Sequence, residues 1–543
     1  MGDIVRGTMM DVPLTLDHFV ERAELYFPQV EVVSRRPDKT FVRGHYAAVC
    51  ARARRLASAL AAAGLRSGDR VATLMWNHAT HLEAYFGAPL AGGVLHTLNL
   101  RLHPDELAYI AGHANDRFLI VDDVLLPVLN SFRDKAPFER IWVVPFGGAP
   151  LPAGMDSYED LLRTAPDNFT PPTLDENQGA AMCYTSGTTG RPKGVMYSHR
   201  AITLHSFAIC LPAAMGFNEH DTVLQVSSMF HANGWGFPYA AVMMGARIIF
   251  PGPNVDGESI LDLLSGERVT VANGVPTIWI GVADALDKNP GRWKLQPGLR
   301  VLSAGSAVPE HLFRRLDAHG ISLLQGWGMT ETTPLATFSR TSPAGLQQPP
   351  DAQYRVRAMQ GRPVPLVMIR ARSMQGEVPW DGRTLGELEV RGPWVAASYH
   401  EFPEAADRWT EDGWFRTGDV VSIDPDGGIK IADRSKDLIK SGGEWISSVD
   451  LENALMSHPG IREAAVVGVP HPKWQERPLA VVVARSEPRP SEQELHAFLS
   501  SRFAKWQLPD AYVFASEIPK TSVGKFLKSR LREMYGAWKW KGE

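Results

Sequence analysis

Apolar positions recur in two alternating patterns along the first part of the chain. Between residues 43 and 65 they return every three or four positions, which predicts an amphipathic helix with Gly64 at its C-terminal end. Strands alternating with such helical stretches predict βαβ units and a mostly parallel sheet, so we expect a large α/β body of stacked sheets. The short apolar runs typical of buried strands lie at residues 71–75, 118–121, 141–144, 180–184, 223–226, 247–250, 269–272 and 300–304.

The pattern changes near Gly361. Glycine and proline become frequent and short alternating runs appear, which predicts a β-rich subdomain that closes the body. Beyond Asp433 the chain has the pattern of a compact α+β unit, with helices at 449–458 and 491–503 and strands at 464–469 and 480–485. We therefore predict an N-terminal domain over residues 1–432 and a small C-terminal domain over residues 433–543.

Composition narrows the classes of protein that fit this pattern. A length of 543 residues exceeds one ordinary core, and a net charge of −4 gives no electrostatic basis for binding nucleic acid. The three cysteines form no CxxC pair, as is usual in a reducing cytoplasm. No apolar run reaches the roughly 20 residues that span a membrane, and the N-terminus has no signal-peptide pattern. We expect a cytoplasmic enzyme without an integral membrane segment.

The stretch Tyr184–Gly194, Tyr-Thr-Ser-Gly-Thr-Thr-Gly-Arg-Pro-Lys-Gly, is suited to binding a polyphosphate. Its glycines let backbone N–H groups converge on one ligand, its hydroxyls add donors, and Lys193 adds a mobile cation. It is not a Walker A loop, because Pro192 and Gly194 occupy positions where that loop needs glycine and Ser or Thr. The alternative is a polar turn between two strands.

Four further motifs follow this stretch in order. They are Gln325-Gly-Trp-Gly-Met-Thr-Glu331, Gly413-Trp-Phe-Arg-Thr-Gly-Asp419, Asp433-Arg-Ser-Lys-Asp-Leu-Ile-Lys440-Ser-Gly-Gly and Pro519-Lys-Thr-Ser-Val-Gly-Lys525. In order and distance, the five motifs resemble those of the AMP-forming adenylate enzymes, the superfamily of acyl-CoA synthetases, carrier-linked adenylation domains and firefly luciferases. The resemblance covers essentially the whole chain. It implies a stacked-sheet body, a small mobile C-terminal domain, and the use of ATP, Mg²⁺ and CoA.

Trp327 and Asp419 have chemistry suited to a nucleoside. The indole offers a flat face for an adenine and the carboxylate can accept both ribose hydroxyls, although a core aromatic and a β-turn aspartate are the plain alternatives. The resemblance implies that Thr185 and Glu331 hold Mg²⁺. The residues predicted to bind nucleotide, phosphate or CoA are Thr185, Ser186, Gly187, Thr188, Thr189, Gly190, Lys193, Ser306, Ala307, Gln325, Gly326, Trp327, Gly328, Met329, Thr330, Glu331, Asp419, Arg434, Lys436, Lys440, Gly442, Gly443, Glu444 and Trp445.

The motif Phe230-His-Ala-Asn-Gly-Trp-Gly236 is predicted to meet the acyl chain. His231 resembles the family's histidine beside the acyl carboxylate, and Trp235 resembles the aromatic gate of fatty acyl-CoA synthetases, a ring that opens or closes the acyl tunnel. Its flanking glycines would let the ring swing, whereas a core aromatic is the alternative. Gly305 completes the predicted acyl pocket. The histidines expected at the surface or behind the site are His199 and His205.

Adenylation of an acid is mainly positioning and charge neutralisation, and the predicted catalytic residues are Lys193, His231 and Lys525. We expect Lys525 to have an ordinary pKa of about 10.4, and an exposed tail lysine is its plain alternative. The resemblance implies that the C-terminal domain rotates about a hinge near Asp433. Lys525 would then face the centre during adenylation, and Lys440–Trp445 would face it during thioester formation.

The sequence therefore predicts an AMP-forming acyl-CoA synthetase, expected to be a homodimer, with a medium- or long-chain fatty acid as substrate. The stretch 76–122, including Leu98-Asn-Leu-Arg-Leu102, also resembles ligases for short thioether acids such as methylmercaptopropionate, so the chain length stays open. Loading of a phosphopantetheinyl carrier protein and luciferase-like oxidation are alternatives. A non-catalytic binding module is disfavoured by the joint presence of Lys193, Glu331, Asp419 and Lys525.

Overall fold

The computed structural model describes residues 7–185, 191–441, 444–521 and 525–540. Over these residues the α-helices are α1 (Asp17–Tyr26), α2 (Tyr46–Ala62), α3 (Ala79–Leu90), α4 (Pro104–Ala114), α5 (Leu126–Asn130), α6 (Tyr158–Arg163), α7 (His199–Cys210), α8 (Phe237–Met244), α9 (Gly257–Gly266), α10 (Pro276–Lys288), α11 (Glu310–Ala318), α12 (Pro350–Arg357), α13 (Ser448–Met456), α14 (Glu492–Ser500) and α15 (Lys528–Tyr535).

The strands of the same residues are β1 (Glu31–Arg35), β2 (Phe41–His45), β3 (Arg70–Leu74), β4 (Val94–Thr97), β5 (Asp116–Asp122), β6 (Arg140–Val144), β7 (Asp156–Ser157), β8 (Gly179–Tyr184), β9 (Gly194–Ser198), β10 (Thr222–Gln225), β11 (Arg247–Phe250), β12 (Val271–Gly274), β13 (Arg300–Ser303), β14 (Ser322–Gly328), β15 (Leu335–Phe338), β16 (Arg362–Pro363), β17 (Met368–Ser373), β18 (Gly376–Glu377), β19 (Gly386–Arg391), β20 (Phe415–Ile423), β21 (Ile429–Arg434), β22 (Ile439–Ser441), β23 (Glu444–Ile446), β24 (Ile461–His471), β25 (Gln475–Ala484) and β26 (Ala511–Phe514).

Two large sheets form the body. One has the strand order β16-β15-β14-β13-β12-β10-β11-β1-β2 and the other β7-β6-β5-β3-β4-β8-β9. Their central pairs are parallel, as the alternation of strands and helices predicts. Antiparallel pairs occur at the ends of the order, among them β8 with β9. The predicted phosphate loop is the connection between β8 and β9.

The helices between these sheets are buried around their whole circumference. Every residue from His81 to Leu90 in α3 is buried, as is every residue from Phe237 to Met243 in α8. The rings of Tyr85 and Tyr239 meet with centroids 5.1 Å apart. Because both helices are covered on all sides by residues of one hydrophobic core, α3 and α8 join the two sheets.

The last third of the chain supplies two smaller sheets. The β-rich subdomain has the order β18-β17-β19-β20-β21. The C-terminal sheet has the order β23-β22-β25-β24, with β26 alongside β25, and its own core is filled from α13 and α14 by residues such as Leu451 and Leu495. Strand β21 ends at Arg434, so the chain passes directly from the subdomain into the C-terminal unit.

The predicted fold class is confirmed: a large α/β domain of stacked sheets with a β-rich subdomain, and a smaller α+β domain at the C-terminus. The helix predicted at 43–65 is α2, and the one predicted at 449–458 is α13. The boundary at 432/433 stays a prediction. Among the described helices, none has the length and apolar character required to cross a membrane.

Candidate active site

A cleft lies beyond the ends of β13 and β14, where the C-terminal domain faces the body. Two adjoining cavities of about 240 and 260 Å³ share Gly305, Arg434 and Lys525. Gly305 has φ of 93°, a left-handed conformation that favours glycine, and the Lys525 side chain packs beside it. The first, the Trp327 cavity, is lined by Ser306, Ala307, Gln325, Gly326, Trp327 and Asp419. The second, the Glu331 cavity, is lined by Thr185, Lys193, His231, Trp235, Thr330, Glu331 and Tyr399, and both include Gly328 and Met329.

Trp327 is held in place through the edge of its ring. The indole Nε1 donates to Asp419 Oδ2 at 2.9 Å, and Arg434 Nε lies 3.3 Å from Asp419 Oδ1. Asp419 on β20 is paired directly with Arg434 on β21, which fixes both side chains at the cleft. Because a carboxylate has about four lone-pair sites, Asp419 keeps capacity to accept hydrogen bonds from a ligand.

Gln325 gives the Trp327 cavity an unused acceptor. Its side chain is buried, and none of the described residues donates a hydrogen bond to its Oε1. A buried polar atom without a partner costs about 1–3 kcal/mol unless a ligand or water pairs with it. Gly328 has a separate structural reason to be glycine, because a Cβ there would lie 1.8 Å from the carbonyl oxygen of Pro334, the residue just before β15.

The Glu331 cavity brings the phosphate-loop ends against a buried carboxylate. Thr185 N–H donates to the Lys193 carbonyl at 2.9 Å, and Lys193 N–H donates to Thr185 Oγ1 at 3.1 Å, so the loop is closed at its base. The Tyr399 hydroxyl donates to Glu331 Oε1 at 2.5 Å. Burial and the Glu331 charge raise the pKa of Tyr399, so it remains a donor. The predicted residues Ser186, Gly187, Thr188, Thr189 and Gly190 lie outside the described residues.

Lys525 lies between the two cavities. Its segment is closed by hydrogen bonds from Lys525 N–H to Thr521 Oγ1 at 3.1 Å and from Thr521 N–H to the Lys525 carbonyl at 2.7 Å. Burial, helped by the Arg434 charge, lowers the pKa of Lys525 to about 8, against the opposing effect of Asp419 and Glu331. The expectation of an ordinary lysine pKa is therefore wrong, because the ammonium loses water where the C-terminal domain places it in the cleft against the body.

His231 and Trp235 lie at a boundary between cavities. Both line the Glu331 cavity, and both also line a third cavity of about 70 Å³, the inner cavity, whose other walls include Trp76, Val226 and Ile278. Trp235 is only 7% exposed. Burial and then the Lys525 charge lower the pKa of His231 to about 4, so the imidazole is neutral at pH 7.

Lys440 and Trp445, two residues predicted for the thioester step, lie away from these cavities. Lys440 is exposed on the β22–β23 hairpin, where its N–H donates to Glu476 Oε2 at 2.9 Å, and Trp445 is 49% exposed. Neither side chain lines the three cavities, whereas Lys436 lines both the Trp327 and the Glu331 cavity. Gly442 and Gly443 lie outside the described residues, as does the side chain of Glu444.

Of the two placements expected for His199 and His205, at the surface or behind the site, the surface is wrong, because both are buried. His199 Nδ1 accepts a hydrogen bond from Leu16 N–H, and His205 Nε2 accepts one from Leu335 N–H. His205 also packs against Gly236, where a Cβ would lie 2.5 Å from its Cε1. Both imidazoles therefore support the walls behind the site.

Tyr399 and Arg408 are site residues that the sequence analysis missed. Both line the Glu331 cavity, and no described residue accepts a hydrogen bond from the buried Nε of Arg408. Tyr399 is 68 positions from its partner Glu331 and lies in no glycine-rich motif. No signal in the sequence alone connects either residue to the site.

The donor set at Glu331 fits a magnesium ion. Thr185 and Glu331 place hydroxyl and carboxylate oxygens on one cavity, and these are ligands that Mg²⁺ prefers. Within the described ranges no cluster of three or more His, Cys, Asp or Glu side chains could hold a metal by itself. Mg²⁺ commonly takes one or two protein ligands and completes its shell with phosphate oxygens and water.

Comparisons with known proteins agree with this geometry. The profile of the AMP-binding enzyme family matches residues 30–400, and that of the AMP-binding enzyme C-terminal domain matches residues 450–525. A long-chain-fatty-acid–CoA ligase of Thermus thermophilus is 49% identical over 534 residues, which are 97% of each chain. A 3-methylmercaptopropionyl-CoA ligase of Ruegeria lacuscaerulensis is 43% identical over 535 residues, 97% of this chain and 98% of the relative.

The solved structure of ATP-bound MatB from Rhodopseudomonas palustris has a TM-score of 0.81 and 28% identity, over 97% of this chain and 100% of that one. The chain belongs to the AMP-binding enzyme family. Within this family it is an AMP-forming acid–CoA ligase that uses ATP and CoA as substrates together with Mg²⁺. The resemblance inferred from the five motifs is thereby confirmed.

Proposed function

We propose that this ligase converts a medium- or long-chain fatty acid to its CoA thioester in two half-reactions. In the first, a carboxylate oxygen attacks the α-phosphorus of ATP, and the bond to pyrophosphate breaks to leave an acyl adenylate. In the second, the CoA sulfur attacks the acyl carbon, loses its proton, and displaces AMP. The choice of acid is supported by the 49% identity to a long-chain-fatty-acid–CoA ligase, and by the inner cavity beside Trp235, whose walls include Val226, Val255 and Ile278.

The Trp327 cavity would hold the adenosine. Trp327 offers the ring face for stacking, and Asp419 has free lone pairs for the two ribose hydroxyls. The unpaired Oε1 of Gln325 would accept a hydrogen bond from an adenine amino group. Ser306 and Ala307 would contact the nucleotide from the loop after β13.

The Glu331 cavity would hold the phosphates and the acid carboxylate. Lys193 and the loop after β8 would bind the β- and γ-phosphates, and neutral His231 would lie beside the carboxylate. Thr185 and Glu331 would hold Mg²⁺, which neutralises phosphate charge when bound. Lys525, shared by both cavities, would bridge the carboxylate and an α-phosphate oxygen as these two anions approach each other.

The second half-reaction requires the C-terminal domain to turn about Asp433, so that Lys440–Trp445 replaces Lys525 at the cleft. Two ion pairs that join the domain to the body are half-exposed: Arg485 with Asp284 at 3.0 Å, and Lys430 with Asp450 at 3.0 Å. Exposed pairs of this kind contribute about 0–1 kcal/mol each, so they oppose rotation only weakly.

A panel of acids tests the reaction class and the substrate together. With ATP, Mg²⁺ and a fatty acid the protein should release pyrophosphate, and thioester should form only when CoA is added. The panel runs from C4 to C16 and includes methylmercaptopropionate, and a holo-carrier protein replaces CoA in one arm. A preference for methylmercaptopropionate would contradict the assignment of a fatty acid as substrate. Thioester formed only on the carrier would contradict the assignment of CoA as the acceptor.

Replacing Trp235 should alter the choice of acid. Because the indole lies between the Glu331 cavity and the inner cavity, Trp235→Ala should change the relative kcat/KM of C4 and C12 acids by more than about tenfold, or about 1.4 kcal/mol. Trp380→Ala, at an exposed tryptophan of the subdomain, is the matched control. An unchanged chain-length profile would make Trp235 a core aromatic.

The pH dependence of adenylation should reflect the protonation state of Lys525. Only the charged form neutralises the reacting anions, so kcat/KM for adenylation should fall as pH rises through about 8. Bound ATP and carboxylate favour the ammonium, so the corresponding fall in kcat should lie at higher pH. Lys525→Arg, which keeps its charge, should remove the descending limb. A limb that persists unchanged in this variant would contradict the assignment.

Two wider proposals concern the state of the protein. A homodimer is supported by apolar side chains exposed near the N-terminus, among them Met10 at 91% and Leu25 at 70%, and light scattering should give twice the monomer mass. A cytoplasmic location is supported by the three cysteines, which are all unpaired.

A further inference from the structure

The turn that carries Trp235 has an unusual backbone. Ala232, Asn233, Gly234, Trp235 and Gly236 all have positive φ, between 43° and 72°. Only glycine adopts this left-handed region without steric cost, so the other three residues remain there because their surroundings hold them. Residues kept in such conformations cluster at functional sites.

Two buried amides hold this turn at one peptide group. The Gly234 carbonyl oxygen accepts hydrogen bonds from Gln225 Nε2 at 3.0 Å and from Asn273 Nδ2 at 3.1 Å. This carbonyl belongs to the peptide that joins Gly234 to Trp235, so its orientation sets the direction in which the Trp235 backbone leaves. A Cβ at Gly234 would lie 2.7 Å from Gln225 Nε2, so the contact also needs glycine there.

Both side-chain amides make their hydrogen bonds to other groups of the protein. Gln225 Nε2 also donates to the Ser227 carbonyl at 2.6 Å, and Asn273 Nδ2 also donates to Gln225 Oε1 at 3.3 Å. Asn273 Oδ1 accepts the N–H groups of Val226 and Ser227, each at 3.0 Å. Neither side chain is exposed, and each NH₂ group already makes two hydrogen bonds. Neither amide therefore has a donor left for a ligand, and each can influence the site only through the Gly234 carbonyl that it binds.

We infer that Gln225 and Asn273 are positioning residues that fix the Trp235 indole between the Glu331 cavity and the inner cavity, and that they thereby help set the range of acids the enzyme accepts. The inference rests on the proposed function, because it takes the inner cavity as the place of the acyl chain. A pair of amides that only stabilised the core would affect all acids equally.

A double-mutant cycle separates these cases. Gln225→Met keeps the volume but removes both donated hydrogen bonds. It should change the ratio of kcat/KM for C4 and C12 acids by about fivefold or more, in the direction of Trp235→Ala, and by less than about twofold when Trp235 is already alanine. Thr270→Val, which removes a half-buried hydroxyl just before the start of β12, is the matched control and should leave the ratio unchanged.

Asn273→Ser shortens the side chain and removes its amide donor. It is measured in the same double-mutant cycle, so that the inference can still be tested if Gln225→Met does not fold. An unchanged ratio in the single variants, or an equal change in both Trp235 backgrounds, would overturn the inference while leaving the proposed function intact. Absence of pyrophosphate release by the wild-type protein with every acid would overturn both.

Discussion

Replacing Lys525 by alanine should slow acyl-adenylate formation by about a hundredfold or more. The lysine lies where the Trp327 and Glu331 cavities meet, and it is the cation proposed to bridge two anions in the transition state. A charge contact of this kind in a site with little water contributes about 3 kcal/mol, as removal of one oxyanion donor shows in other enzymes. Pyrophosphate exchange into ATP measures this half-reaction directly.

The same variant should convert synthetic acyl adenylate and CoA to thioester at nearly the wild-type rate, because that step takes place with the C-terminal domain turned away. Lys520→Ala is the matched control, since Lys520 lies in the same segment and pairs with Glu463 at 2.7 Å. Normal rates of both steps would show that Lys525 has no part in the chemistry. Loss of both together would contradict the domain rotation.

Replacing Asp419 by alanine should lower kcat/KM for ATP by about a hundredfold. Hydrogen bonds to a charged group contribute about 1.5–3 kcal/mol each, and the carboxylate is proposed to accept both ribose hydroxyls. The substitution also leaves the buried Trp327 N–H without its acceptor and Arg434 without its ion pair. Initial rates of pyrophosphate release at varied ATP concentrations give this kcat/KM.

Asp426→Ala is the control for this prediction, because Asp426 is exposed on the same subdomain and pairs with Arg362 at its surface. The KM for the fatty acid should change little in Asp419→Ala, since the inner cavity does not include this residue. Equal loss of affinity for ATP and acid would point to a general disturbance of the cleft. An unchanged KM for ATP would remove Asp419 from the nucleotide site.

The sequence predicted much of the fold because the relevant signals are local. The helix expected at 43–65 is present as α2, and the run at 118–121 lies within β5, because periodicity and cap residues act over a few positions. The motif residues Gln325 to Glu331 also lie together at the cleft, since β14 and the turn after it carry all of them.

Other features depend on contacts between distant segments. The hydrogen bond from Tyr399 to Glu331 and the burial of His205 beneath Gly236 arise only when separate elements pack. The lowered pKa of Lys525 has the same origin, because its cause is desolvation by the closed cleft. The only local signal for the left-handed turn at 232–236 is its two glycines. The side-chain amides that hold the turn belong to Gln225 on β10 and Asn273 on β12.

In the adenylate mechanism, the carboxylate attacks the α-phosphorus and leaves one of its oxygens on AMP. A fatty acid labelled with ¹⁸O in both carboxyl positions should therefore give AMP that carries one ¹⁸O atom, and a thioester that retains the other. Mass spectrometry of the AMP, after a single turnover with ATP, Mg²⁺ and CoA, reads this directly. Unlabelled AMP, or ¹⁸O found in orthophosphate with release of ADP, would contradict the adenylate mechanism.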